Sequence, residues 1–131
     1  MSVLFCFSTQ ANCQVVDNTA AQRPEKIYTK VEVEAQFVGG DLAWKSFLQR
    51  YLRVNTATNN GAPTGTYRVV VKFVVSRTGT VGAVMAETNH GFGMETEAIR
   101  VIKRTPHWMA AINGGHIVSS YRRQPITFVV P

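Results

Sequence analysis

His90, His107, His116, Glu95, Glu97, Cys6 and Cys13 have side chains of the types that do covalent or metal chemistry. A metal site needs imidazole, thiolate or carboxylate ligands spaced so that they converge, as in HxxxH, and none of the three histidines has such a companion. Each reads as a surface or loop residue. Glu95 and Glu97 stand two apart where a helix is expected, so their side chains diverge, and support of the helix dipole suits them better than acid/base work. Both cysteines fall within the first 13 residues, which removes a thiolate zinc site and a cysteine nucleophile from the body of the chain. Gly91-Phe92-Gly93 is too short for a dinucleotide loop, and no GxSxG or Walker sequence occurs. The chain is therefore expected not to be an enzyme, with no catalytic residue, no metal and no cofactor.

The remaining chemistry is non-covalent. If the last strand lies at a sheet edge, its main-chain donors and acceptors can pair with an extended peptide. The residues that would carry such binding are Tyr121, Arg122, Arg123, Gln124, Ile126, Thr127, Phe128 and Val129, a set cationic and polar enough to favour acidic or polar peptides. The alternative is that the same side chains only solubilise and protect the edge.

Whether that strand is an edge depends on the elements around it. Thr29 to Phe37 alternates apolar and polar residues, the period of a half-exposed strand. Gly39-Gly40-Asp41 breaks the chain and offers Asp41 as N-cap to a helix whose stripe is Trp44, Phe47, Leu48, Tyr51 and Leu52, read as core rather than ligand pocket. Asn55 to Gly65 reads as a loop. Tyr67 to Val75 is apolar on both faces, as a central strand is, and the Ser76–Thr80 turn returns it as Val81 to Thr88. Met94, Ala98, Val101 and Ile102 mark a second helix, acidic at its start and basic at its end, which Pro106 terminates. A turn at Asn113-Gly114-Gly115 leads into the last strand, Ile117 to Val130. The strand–helix–strand succession demands a right-handed parallel crossover, which puts the last strand parallel to Val81–Thr88, with Tyr67–Val75 between them. The expected fold is α+β: a three-stranded antiparallel/mixed sheet of order 2-1-3, two helices on one face, and room for an extra N-terminal strand. Pro125, which cannot donate to a ladder, fits an edge.

With 131 residues the chain has room for one domain. Fourteen Lys and Arg against 8 Asp and Glu leave a net charge of +6, which attracts anionic partners at long range. No basic run exceeds two residues, so a solvated basic surface is expected rather than nucleic-acid binding. Val3 to Phe7 is far below the ~20 apolar residues that span a bilayer, and with Ala11-Asn12-Cys13 it reads as the remnant of an export signal, residues 1–13. A cytoplasmic N-terminus and a lipidated Cys13 are the alternatives. Residues 14–28 read as a flexible lead-in, and 29–131 as the domain.

Four stretches carry a resemblance to a known family: Glu34-Ala35-Gln36-Phe37-Val38-Gly39-Gly40; Gly65 to Val75; Met94 to Lys103; and Trp108, the Asn113-Gly114 turn and Gln124-Pro125-Ile126-Thr127-Phe128. In this order they resemble the carboxy-terminal domain of TonB, the energy-coupling protein of the Gram-negative envelope, in its Bacteroidetes-type form. The sequence departs from that pattern at Val38, where Pro is usual, and at Tyr51-Leu52-Arg53, where a Tyr-Pro pair is common. The resemblance implies a periplasmic module that captures the short N-terminal box of an outer-membrane TonB-dependent transporter by strand addition at its last strand. The alternative is a freestanding structural or self-associating envelope protein that reuses the fold and dimerises through the same edge.

Overall fold

The computed structural model describes residues 26–131, and the expectations for residues 1–25 lie outside that range. Strand β2, Gly65–Val75, organises the domain. Its alternation buries Val69, Val71, Phe73 and Val75 on one face and turns Arg68, Val70, Lys72 and Val74 to the other. The turn that follows brings Gly79 against Trp108, whose N–H donates to the Gly79 carbonyl at 2.8 Å. A Cβ on Gly79 would lie 2.2 Å from the Trp108 carbonyl oxygen, and φ there is 85°, so both space and backbone require glycine.

The chain returns as β3, Val81–Ala86, antiparallel to β2 with one irregularity between Lys72 and Val74. The last strand, β5, His116–Val130, pairs antiparallel with β2 without interruption from Gly65↔Val130 to Val75↔Ser120. These three strands stand in the expected order, with β2 central. An N-terminal strand is present as well: β1, Ile27–Tyr28, at the end of the expected lead-in, runs parallel to β5 at Ser119 and Ser120. The full order is β1-β5-β2-β3, while β4, Ala111–Asn113, forms a hairpin with the start of β5 through Gly114 and Gly115. Both glycines have positive φ, as the two-residue turn requires.

Helix α3, Met94–Lys103, lays Met94, Ala98, Val101 and Ile102 on the inner face of the sheet, as the spacing predicts. Helix α1, Gly40–Tyr51, reaches the same core through aromatic contacts, with Trp44 edge-on to Phe37 and tilted against Trp108, which in turn meets Phe73. Each large apolar side chain buried there contributes about 1.5–3 kcal/mol relative to exposure.

Four local expectations are corrected. Thr29 to Phe37 is not a regular strand: only Val33 and Gln36 bridge, to Ile112 and Met109, because Ala35 and Phe37 turn into the core while Val33 stays exposed. The N-cap of α1 is Gly39 in the left-handed region, which leaves Asp41 in the first turn, near the dipole but not capping. The Asn55–Gly65 loop holds one helical turn, α2, Thr56–Asn59, whose Ala57 is fully buried. The margin occupied by β5 is not free throughout, since β1 covers it at Ser119 and Ser120.

Candidate functional site

Two hydrogen bonds at Val70 fix which main-chain groups of β5 face outward. Glu87 donates its N–H to the Val70 carbonyl at 2.8 Å, and the Val70 N–H reaches Thr88 Oγ1 at 3.3 Å. Both polar groups of Val70 therefore point toward β3, away from β5. In an antiparallel ladder, pairs that exchange both bonds alternate with pairs that exchange none, so Val70↔Pro125 belongs to the second kind. It follows that Gln124, Ile126 and Phe128 bond to β2, whereas Tyr121, Arg123, Pro125, Thr127 and Val129 turn their main-chain groups to the opposite flank. Beyond Ser120, no strand among the described residues lies on that flank.

Pro125 divides the flank. It has no N–H, and its carbonyl accepts from Gln124 Nε2 at 3.2 Å. Donors remain on either side, at Arg123 and at Thr127 and Val129.

The side chains named from the sequence separate into three groups. Ile126 and Phe128 are buried beneath the sheet and support the strand from within. Tyr121, Arg123, Thr127 and Val129 lie on the outer face, where the Lys72 ammonium sits 4.5 Å from the Tyr121 ring centroid and Arg123 pairs with Glu87 at 2.7 Å. That contact holds the Glu87 carboxyl below its ordinary value, the Arg123 hydrogen bond being the main cause. Arg122 and Gln124 lie on the inner face at its margin, where two adjoining clefts open. One, of about 580 Å³, is lined by Lys30, Val31, Glu34, Lys72, Tyr121 and Arg123 among others; the second, of about 490 Å³, by Gln36, Phe37, Asp41, Trp44, Trp108 and Gln124. Glu34 and Arg122 line both, joined by a salt bridge of 3.1 Å.

Sequence reading missed Lys30, Glu34 and Lys72 as members of this site. Lys72 was legible, since its place on the outer face of β2 follows from alternation. Glu34 was not, because it meets Arg122 across 88 positions along a segment without regular structure.

The glutamates at the start of α3 do more than complement its dipole. Glu95 accepts the N–H groups of His90 and Gly91 and the Thr88 hydroxyl at 2.9–3.0 Å. Glu97, 5% exposed, is held by Arg100 at 2.6 Å and accepts the Arg53 N–H at 2.8 Å, while Arg100 also donates to the Tyr51 carbonyl. Burial alone would raise both carboxyls, but these hydrogen bonds outweigh it and hold them below their ordinary value. The two are thus anchors between α3 and its neighbouring loops. His90, His107 and His116 are exposed, with His90 Nε2 bonded to the Arg68 carbonyl at 2.9 Å. Among the described residues no cluster of three or more His, Cys, Asp or Glu is placed to hold a metal ion, and no helix is long and apolar enough to cross a membrane.

Comparison with known proteins gives one match. The family model described as Gram-negative bacterial TonB protein C-terminal covers residues 65–130, from the first residue of β2 to the last of β5. Glu34 to Gly40, part of the resemblance seen in the sequence, lies outside the matched span. No curated protein and no solved structure matches the chain.

Proposed function

Since the chain belongs to the family of Gram-negative bacterial TonB protein C-terminal domains, we propose that it is a periplasmic protein-binding module of TonB-dependent transport, one that takes an extended partner segment as an added strand on β5. The partner class is the N-terminal box of an outer-membrane transporter. The observation that carries this reading is the flank itself: Arg123, Thr127 and Val129 present outward main-chain groups that meet no strand among the described residues. Such groups give affinity by ladder bonds, and neighbouring side chains give selectivity. Here those neighbours are Tyr121, Arg122, Arg123, Gln124, Thr127 and Val129, on a β5 that Ile126 and Phe128 hold rigidly from beneath.

Binding by this route involves no covalent step. Periplasmic location rests on the family and on the leader-like residues 1–13. Titration of the labelled protein with transporter box peptides tests the proposal through its amide resonances. Shifts and exchange protection at Arg123, Thr127 and Val129 are expected. Changes confined to α1 and α3, or none at millimolar peptide, would refute it. Sedimentation across a concentration series checks the self-associating alternative, which requires a dimer that box peptides fail to dissociate.

A further inference from the structure

We infer that Arg122 is a receptor for a carboxylate on the incoming segment and that Glu34 partly neutralises its guanidinium in the free protein. This rests on the reading that β5 accepts an added strand. Arg122 lies on the inner face of β5, and a residue directly opposite it on an added strand has its side chain on the same face, with Cβ atoms about 5 Å apart. An aspartate or glutamate there enters the cleft within reach of the guanidinium.

The guanidinium is only partly used. Its Nη1 meets Glu34 at 3.1 Å, its Nη2 is 3.5 Å from Gln124 Oε1, and its buried Nε has no partner. Leaving a buried donor unpaired is costly, and a carboxylate that bonds through Nε and a terminal nitrogen together relieves the cost with the strongest geometry available to arginine. Glu34, 64% exposed, is a weak tenant: an exposed ion pair contributes little, and its side chain is free to turn into water. Lys30 and Lys72 line the adjoining cleft and add positive potential, as does Arg123 despite its pairing with Glu87. Asp41 lines the second cleft, whereas Lys30 and Lys72 line the first, so an anion is favoured on the first-cleft side of Arg122.

The test uses decapeptides of alternating valine and threonine, with a single glutamate moved one position at a time, each paired with a glutamine twin. One glutamate position should bind about tenfold tighter than its twin, the effect of one charge-assisted hydrogen bond in a partly open site. Arg122→Gln should abolish that tenfold difference, so that the glutamate peptide and its glutamine twin bind alike. Glu34→Gln should widen the preference for the glutamate peptide over its twin about threefold. Equal loss for both twins on Arg122→Gln, or no preferred glutamate position, would overturn the carboxylate receptor while strand addition stands. Failure of every peptide to bind would remove the premise and the inference together.

Discussion

Two Arg–Glu pairs in this domain have the same chemistry and opposite circumstances. Arg100 and Glu97 sit one helical turn apart on α3, and the carboxylate is buried, doubly held by Arg100 and bonded to the Arg53 N–H. Arg122 and Glu34 come from distant segments, the carboxylate is mostly in water, and the guanidinium keeps an unpaired buried nitrogen. Ion pairs are often counted as if they were equivalent. Here the first closes a network and joins α3 to the end of α1, while the second leaves capacity unused at the margin of the sheet.

The widest separation between the two should appear on truncation. Glu97→Ala strands the Arg100 guanidinium and the Arg53 N–H, and we expect a loss of about 2–3 kcal/mol, near 10 °C in Tm, by thermal or urea unfolding. A loss below about 0.5 kcal/mol would erase the distinction. Acid should reveal the same asymmetry. Because the folded-state pKa of Glu97 is held below its ordinary value of 4.5, its contribution is complete above that pH and is lost as pH falls through the depressed value. The stability of Glu97→Gln should therefore decline less steeply than wild type below pH 4.5 in urea melts across pH.

A smaller effect is expected where Pro125 interrupts the free flank. Pro125→Val restores an outward N–H, and box peptides should bind about three- to tenfold tighter by titration calorimetry, with self-association rising in sedimentation. Unchanged affinity and unchanged sedimentation would mean that proline is not what limits pairing there. The smallest effect belongs to Glu34→Ala, expected to alter stability by less than about 0.5 kcal/mol, in contrast to Glu97→Ala. A loss near 2 kcal/mol would make the Arg122 pair structural after all.

Much of this architecture was legible beforehand. The doubly apolar run Tyr67–Val75 announced a central strand, the Met94–Ile102 spacing announced α3, and crossover handedness with Pro125 placed the last strand outside β2. Local signals failed where tertiary contacts overrode them. The alternation over Thr29–Phe37 has the period of a strand, but Ala35 and Phe37 satisfy it by turning into the aromatic core, without a neighbouring ladder. Asp41 is a good capping residue two positions too late, because Gly39 takes the left-handed conformation that the chain reversal needs. β1 is two residues long, too short for any periodicity to show.

The sequence by itself determined the main strand order and the run of residues that forms β5, because period and connection handedness act locally or by topology. Only the tertiary structure decided which of those residues serve the core and which the flank, since that depends on the register of β5 against β2 and on the bonds made by Val70. It alone also brought Glu34 to Arg122. No short-range rule specifies a contact across 88 positions, because packing of the whole core sets where such a segment lies.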